Sequence, residues 1–131
     1  MDITDTNCLN KIVQQITYHR DNKEYFLEPQ QILFFEASDD NTYAHTRQHI
    51  YRVRHRLYQL ETILPNNFLR VSKAGIVNVN YILSFATTVG TTGIVEFSKT
   101  DKKLHISRQY IKVLRSALKA RSQNHGKTTK T

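Results

Sequence analysis

Clusters of lysine and arginine are the features of this 131-residue sequence that point most directly to a chemistry. The stretch from Arg47 to Lys73 holds six of these residues against the single acid Glu61, and residues 102–131 hold nine with no acid. Lys and Arg bind phosphate oxygens, and they also reach the O6 and N7 atoms of guanine in the major groove of duplex DNA. Clustered positive charge is the electrostatic mark of a polyanionic partner, although a solvated surface with a basic tail has the same composition.

Two groups of basic residues stand at positions suited to contact a ligand. Lys73 follows an apolar, strand-like stretch and lies beside Ser72 and Gly75, where a bend of the chain would project it outward. Four basic residues spaced four, three and four apart would form one stripe on a C-terminal helix: Arg108, Lys112, Arg115 and Lys119. The first turn of such a helix also presents free backbone N–H groups, which favour phosphate. Without a wider context, an exposed loop lysine and a solubilising helix face explain the same residues.

No pattern in the sequence indicates a catalytic centre, a cofactor or a metal site. His45, His49 and His55 lie close together in the sequence, but the only cysteine is the distant Cys8 and no His-Glu-x-x-His motif occurs. Three glutamates are isolated in separate predicted elements, at Glu36, Glu61 and Glu96. No Gly-x-Ser-x-Gly motif and no glycine-rich phosphate loop is present. The sequence therefore predicts a binding protein rather than an enzyme.

The segments that must position the basic residues are mostly short strands. The apolar run from Ile32 to Phe35 predicts a buried strand, the polar turn from Asp21 to Lys23 predicts a hairpin, and Ser38 to Asn41 predicts a loop. Further strand-like stretches occur at 43–46, 49–51, 68–71, 76–79, 81–85, 94–97 and 104–106, with a turn at 90–93. We interpret two conspicuous polar residues in this framework, Arg70 and Asn78, as structural.

Two helices complete the predicted domain. The first has apolar residues spaced four, three and four apart before Pro65, at Val53, Leu57, Leu60 and Leu64. The second runs from about Arg108 to Arg121, with an apolar face formed by Ile111, Leu114 and Leu118. No apolar residue follows Ser122. We therefore divide the chain into an N-terminal lead-in (1–15), one mostly β domain (16–120) and a disordered basic tail (121–131).

The composition also predicts where the protein works. The first residues are polar and acidic, which is unlike a signal peptide, and no apolar run approaches the ~20 residues that span a bilayer. A single cysteine cannot form an internal disulfide and favours a reducing compartment. The sequence thus predicts a cytoplasmic protein that does not bind a membrane.

In their order and spacing, four segments resemble the LytTR family of bacterial DNA-binding domains, over about residues 16–118. Ile32 to Ala37 resembles the family's apolar strand that ends in a glutamate and a small residue, and Val53 to Leu64 resembles its helix. Phe68 to Asn78 (Phe-Leu-Arg-Val-Ser-Lys-Ala-Gly-Ile-Val-Asn) resembles its most recognisable segment. Ile106 to Tyr110 resembles its closing turn from strand to helix.

The resemblance implies a fold of ten mostly antiparallel strands with two short helices, which binds duplex DNA through three loops rather than through a helix-turn-helix. In this sequence those loops correspond to Asp39–Tyr43, Ser72–Ala74 and Ser107–Gln109. The residues that the resemblance places on DNA are Asn41, Thr42, Tyr43, Ser72, Lys73, Arg108 and Gln109. Many members carry a His and a Ser around the basic residue where this chain has Ser72 and Ala74, so the common base preference does not transfer to it.

We therefore predict a transcription regulator of the response-regulator-output type that binds a specific double-stranded DNA sequence through the major groove. The resemblance implies that two molecules bind paired direct repeats in a promoter. One alternative is an RNA-binding module, which would carry exposed aromatic residues on a sheet face for base stacking. The other alternative is a protein-interaction domain whose binding to nucleic acid vanishes at physiological salt.

Overall fold

Ten short strands, all paired antiparallel, form the two sheets of this protein. The structure is a computed structural model that describes residues 16–87 and 92–130. Seven strands form one sheet: β1 (Tyr18–Arg20), β2 (Lys23–Tyr25), β3 (Phe34–Ser38), β4 (Asn41–His45), β5 (Ile50–Val53), β6 (Phe68–Ser72) and β7 (Gly75–Asn78). Their order across the sheet is β2-β1-β5-β4-β3-β7-β6. The other three form a smaller sheet in the order β10-β9-β8, from β8 (Ile82–Thr87), β9 (Gly93–Phe97) and β10 (Lys103–Ile106). The mostly β fold with ten antiparallel strands is thus confirmed.

Two hairpins of the large sheet turn through residue pairs with left-handed backbones. Asp21 and Asn22 join β1 to β2 with φ angles of 52° and 63°, and Asp39 and Asp40 join β3 to β4 with φ angles of 50° and 66°. Asp and Asn adopt this conformation more readily than other non-glycine residues, and a two-residue turn of this kind matches the twist of the flanking strands. The turn chemistry therefore fixes the register in which Ser38 pairs with Asn41.

Two helices pack against the sheets. Helix α1 (Leu57–Ile63) buries Leu57 and Leu60, whereas Val53, which the periodicity assigned to this helix, is the last residue of β5. That assignment was wrong because Val53 also fits the alternation of β5, where it pairs with Thr42 and with Tyr18. Leu64, the last apolar residue of the predicted face, follows the helix as its C-terminal cap.

Helix α2 (Ile111–Lys130) follows a 3₁₀ turn, Arg108–Tyr110, and buries Leu114. It has 20 residues and continues past Arg121, where the sequence predicted a disordered tail. Each residue added to an existing helix gains a backbone hydrogen bond, which favours continuation through a polar segment. The division of the chain into lead-in, domain and tail stays a prediction. Residues 1–15, and residues 90–91 of the turn predicted at 90–93, lie outside the described residues.

The large sheet separates two hydrophobic cores, and β3 is buried on both of its faces. Phe35 packs with Tyr18, Leu60 and the rest of the first core, on the side of α1. Phe34, the next residue along the strand, faces the second core between the two sheets and α2 and stacks on Phe97 with ring centroids 5.3 Å apart. Successive side chains of a strand point to opposite faces, which explains why the sequence from Ile32 to Phe35 is continuously apolar.

Asn78 joins three segments at the centre of the fold. It is fully buried, its amide donates to the carbonyl of Ile32 at 2.9 Å, and its side-chain oxygen accepts from Asn67 Nδ2 at 2.8 Å and from the Asn80 N–H at 3.0 Å. The predicted structural role of Asn78 is therefore confirmed. Buried polar groups are tolerated when their hydrogen bonds are made, as they are here.

A polar contact also links the two sheets. His45 Nε2 lies 3.1 Å from a carboxylate oxygen of Glu36, and its Nδ1 lies 3.0 Å from the ammonium of Lys102, which belongs to the connection between β9 and β10. The imidazole ring also stacks on Phe34. A neutral imidazole fits this position, because Nε2–H donates to Glu36 and Nδ1 accepts from Lys102. Burial, with a contribution from Lys102, lowers the pKa of His45 from 6.5 to about 4.

We predict that this histidine makes the fold sensitive to mild acid. Because the pKa of His45 is lower in the folded chain than in the unfolded one, the unfolded state binds more protons between pH 6.5 and about 4. The contribution of His45 to the free energy of unfolding is thus fully present above pH 6.5 and is lost as the pH drops towards 4. His45→Gln, which keeps one donor and one acceptor, should flatten this dependence, by about 2–3 kcal/mol at the acid end.

Chemical denaturation at pH 7 and pH 4.5 measures the effect, with the exposed His49→Gln as the matched control. The control should keep the wild-type pH dependence. If the free energy of unfolding of wild type and of His45→Gln changed equally between the two pH values, His45 would not titrate in this window.

Candidate nucleic-acid interface

Three turns of the chain meet at one end of the seven-stranded sheet. The Asp39–Asp40 turn lies there, because β3 and β4 pair from Phe34 with His45 to Ser38 with Asn41. The turn at residues 73–74 lies at the same end, because Gly75 pairs with both Glu36 of β3 and Ser72 of β6. The third turn, at residues 107–110, is attached by the N–H of Ser107, which donates to the carbonyl of Val71 at 2.8 Å.

Backbone contacts hold the turn that carries Lys73. The N–H of Ala37 donates to the carbonyl of Ala74 at 2.9 Å, which joins this turn to β3. Within the turn, the hydroxyl of Ser72 accepts from the N–H of Ala74 at 3.1 Å. Ser72 thus shapes the turn through its side chain, while Lys73 at the tip is exposed. Such turns allow an exposed side chain to be presented from a fixed backbone.

Arg70, which is partly buried, fixes the same turn. Its guanidinium donates to the carbonyl of Ser72 at 2.7 Å and to the carbonyl of Lys73 at 2.8 Å, and it pairs with the carboxylate of Glu61 on α1. These contacts engage three of its nitrogens. The structural interpretation of Arg70 is therefore confirmed, and its role is to position the backbone around Lys73.

Lys73 lies between two grooves at this end of the sheet. The larger groove has a volume of about 590 Å³ and is lined by Ser72, Lys73, Ala74, Ser107, Arg108 and Gln109. The smaller one, of about 310 Å³, lies between Lys73 and the Asp39–Asp40 turn and also contacts Asn41 and Thr42. Four of the predicted contact residues, Ser72, Lys73, Arg108 and Gln109, are therefore neighbours, and Lys73 connects them to the β3–β4 hairpin.

The predicted first loop, Asp39–Tyr43, is shorter in the structure. Only Asp39 and Asp40 form the turn, and Asn41, Thr42 and Tyr43 are strand residues of β4. Asn41 remains half-exposed at the rim and donates to the carbonyl of Asp39 at 3.2 Å. Thr42 is only 4% exposed, which leaves little of its side chain for a ligand. The loop prediction was wrong here because a tight two-residue turn suffices to reverse the chain.

Tyr43 does not take part in either groove. It pairs with Glu36 and with Arg52 in the sheet, is half-buried, and lines neither groove. Arg108 and Gln109, in contrast, are exposed in the 3₁₀ turn before α2. The basic stripe that begins at Arg108 continues along α2, where Arg115 lies over the ring of Phe85 at 5.5 Å.

One aromatic residue at this end of the large sheet was not predicted from the sequence. Tyr58, in the first turn of α1, is 67% exposed and lines the groove between Lys73 and the Asp39–Asp40 turn. Its signal in the sequence was its position beside Leu57, out of phase with the apolar face of the helix. The histidines, in contrast, do not assemble: among residues 16–87 and 92–122, no three His, Cys, Asp or Glu side chains stand close enough to hold a metal ion.

No helix in the described part of the chain is long and apolar enough to span a membrane.

A family model and a solved structure match this chain. Residues 22–119 match the model of the LytTr DNA-binding domain. A solved LytTr DNA-binding domain, from a putative methyl-accepting/DNA response regulator of Bacillus cereus, superposes with a TM-score of 0.72 over 79% of this chain and 95% of that chain. The two sequences are 22% identical, so this likeness shows a shared fold.

Two curated relatives are described as transcriptional regulators. An uncharacterised HTH-type transcriptional regulator of Staphylococcus aureus strain NCTC 8325 is 28% identical over 117 residues, which cover 88% of this chain and 78% of that protein. A second regulator of this description, from the bovine strain RF122 / ET3-1, is 29% identical over 116 residues with the same coverage. In the present chain α1 and α2 are separated by five strands, so the described helices do not form a helix-turn-helix.

We predict that Arg70 is required for the shape of the Lys73 turn. Arg70→Lys keeps the charge but loses the planar fork that bridges two carbonyls and Glu61. The loss should lower the free energy of unfolding by about 1–3 kcal/mol and should speed amide hydrogen exchange in the turn. The exposed Arg54→Lys is the matched control, which should leave both quantities unchanged. Equal behaviour of the two variants would contradict the positioning role.

Proposed function

Because the chain belongs to the LytTr DNA-binding domain family, we propose that it regulates transcription by binding a specific duplex DNA sequence through the turns at one end of its large sheet. The observation that supports this most strongly is the convergence of three separate turns around the exposed Lys73. Turns on a rigid scaffold can enter a groove of DNA while the strands behind them hold their spacing.

The side chains at the turns suit base recognition in the major groove. The ammonium of Lys73 can donate to O6 and N7 of guanine, and the amide of Gln109 can both donate and accept, as the N7 and N6 atoms of adenine require. Arg108, adjacent to Gln109, can bind guanine or a phosphate. Binding, rather than catalysis, is therefore the activity that we assign to this surface.

The buried and half-buried members of the predicted set contribute less in this proposal. Thr42 is covered, and Tyr43 lines neither of the two grooves next to Lys73. Ser72 acts through the backbone of its turn. We therefore assign base contacts to Lys73, Gln109 and Arg108, with Asn41 at the rim of the hairpin.

We propose further that two molecules bind paired direct repeats in a promoter, as the family commonly does. Each molecule has one such surface for DNA. Two molecules bound at adjacent sites would therefore recognise a longer DNA sequence than one molecule does. A cytoplasmic location stays a prediction.

A gel-shift competition tests the proposed function. A duplex selected from random DNA should be displaced by the same duplex far better than by a scrambled duplex or by single-stranded RNA. Proteins that bind single-stranded RNA stack its bases on exposed aromatic side chains, and in the described residues the exposed Phe and Tyr side chains are Phe26 and Tyr58. Equal competition by RNA of any sequence would overturn the DNA proposal.

We predict that Lys73→Ala and Gln109→Ala each lower affinity for the selected duplex by about 1–3 kcal/mol and relax the preference at one base position. Lys119→Ala, farther along α2, should change affinity little and the ranking of base variants not at all. Titration of the selected duplex and its single-base variants measures this, after a thermal melt confirms that each variant folds. An unchanged ranking for Lys73→Ala would contradict its assignment to a base.

A further inference from the structure

We propose that Arg52, Arg54 and Arg56 form a phosphate-binding flank beside the base-reading turns. The inference rests on the proposed function, and it extends the interface to a part of the chain to which neither the family match nor the resemblance assigns a contact. The flank would hold the DNA backbone next to the groove that the turns enter.

The three arginines are placed together by β5 and the segment that follows it. Arg52 is an exposed residue of β5, and Arg54, two residues further on, is also exposed. Arg56 immediately precedes α1. All three line a groove of about 300 Å³, with Asp40, Asn41, Thr42 and Val53 as the other walls. Three arginines and one acidic residue, Asp40, line the groove, so the net charge of its lining is positive.

This groove is continuous with the base-reading end of the sheet. Asp40, Asn41, Thr42 and Arg56 line both this groove and the one next to Lys73. Lys73 in turn borders the groove that holds Arg108 and Gln109. Three adjoining grooves therefore lead from Arg52, past the β3–β4 hairpin and Lys73, to the start of α2.

Four other arginines of the described part, unlike Arg52 and Arg54, make polar contacts within the protein. Arg20 pairs with Asp21, Arg47 donates to Ser98, Arg70 holds the Lys73 turn, and Arg121 donates to the carbonyls of Val79 and Ile82. Within residues 16–87 and 92–122, the guanidinium groups of Arg52 and Arg54 make no ion pair or hydrogen bond. Arg56 makes one long contact, of 3.4 Å, with the carbonyl of Asp40.

Phosphate is the ligand group that fits this arrangement. A guanidinium presents parallel N–H donors that match two oxygens of a phosphate. Arg52 projects from the open face of a strand rather than from the tip of a turn, so it suits the backbone that flanks a groove better than base edges within it. Phosphate contacts fix the register of a protein on the duplex, which the base-reading turns require.

The test measures the affinity and the salt dependence of DNA binding by the full chain. Each phosphate contact contributes about 0.9 to the slope of log K against log salt. Arg52→Gln and Arg54→Gln should therefore each lower the slope by about 0.9, and the double variant by about twice that. The affinity for the selected duplex, its single-base variants and a scrambled duplex should fall by the same factor, so that the ranking of sequences is unchanged.

Two further variants test whether the effect is specific to the charge of this groove. Lys23→Ala removes a positive charge at the opposite end of the sheet, beside the Asp21–Asn22 turn, and should leave the slope unchanged. Asp40→Asn removes the only carboxylate of the groove and should strengthen binding to every duplex. Arg52 and Arg54 are exposed, so the glutamine variants should fold, and thermal melts verify this.

The possible outcomes separate the two proposals. If wild type binds a selected duplex but the arginine variants leave the salt slope unchanged, as Lys23→Ala should, the flank does not bind phosphate. The proposed function then stands. If the arginine variants change the ranking of base variants, these residues read bases, and the phosphate assignment is overturned. If wild type binds no duplex even at low salt, the proposed function fails and the flank fails with it.

Discussion

The pairing of β3 with a neighbour on each side is the constraint on which the rest of the structure depends. Phe34 and Phe35 anchor this strand in two different cores, so neither its register nor its orientation can slip without exposing a large aromatic side chain. From that fixed position β3 pairs with β4 and with β7. The two pairings bring the β3–β4 turn and the Lys73 turn to the same end of the sheet, and the interface is a consequence of this geometry.

Polar contacts then fix the connections between the strands that the hydrophobic cores hold in place. Asn78 ties the connection before β3 to the end of β7, the Glu36–His45–Lys102 contact joins the two sheets, and Arg70 fixes the turn backbone. None of these groups reaches the ligand in our account. They leave the outer side chains of the turns exposed, so different residues at the turn tips can change the recognised sequence while the scaffold is retained.

Much of the fold was predictable from the sequence because its signals are local. The continuous apolar run at Ile32–Phe35 indicated a buried strand, and the segments around Lys73 and Gln109 indicated turns that the structure places side by side. The errors arose where local signals conflict or where register decides. Val53 fits a helix face and a strand equally, the β3–β4 turn is tighter than its composition suggested, and the flank of Arg52 exists only because β5 pairs beside the hairpin. The separation of the strands into two sheets likewise depends on long-range pairing.

The central claim is that the end of the sheet with the three turns is the surface that meets duplex DNA. Backbone amide chemical shifts recorded while a selected duplex is titrated into the labelled protein test it most directly. Our account predicts that the largest changes occur at Asn41, Lys73, Arg108 and Gln109, with the amides of the Asp21–Asn22 turn at the opposite end unaffected. Changes centred on that opposite end, with the amides around Lys73 unmoved, would contradict the account.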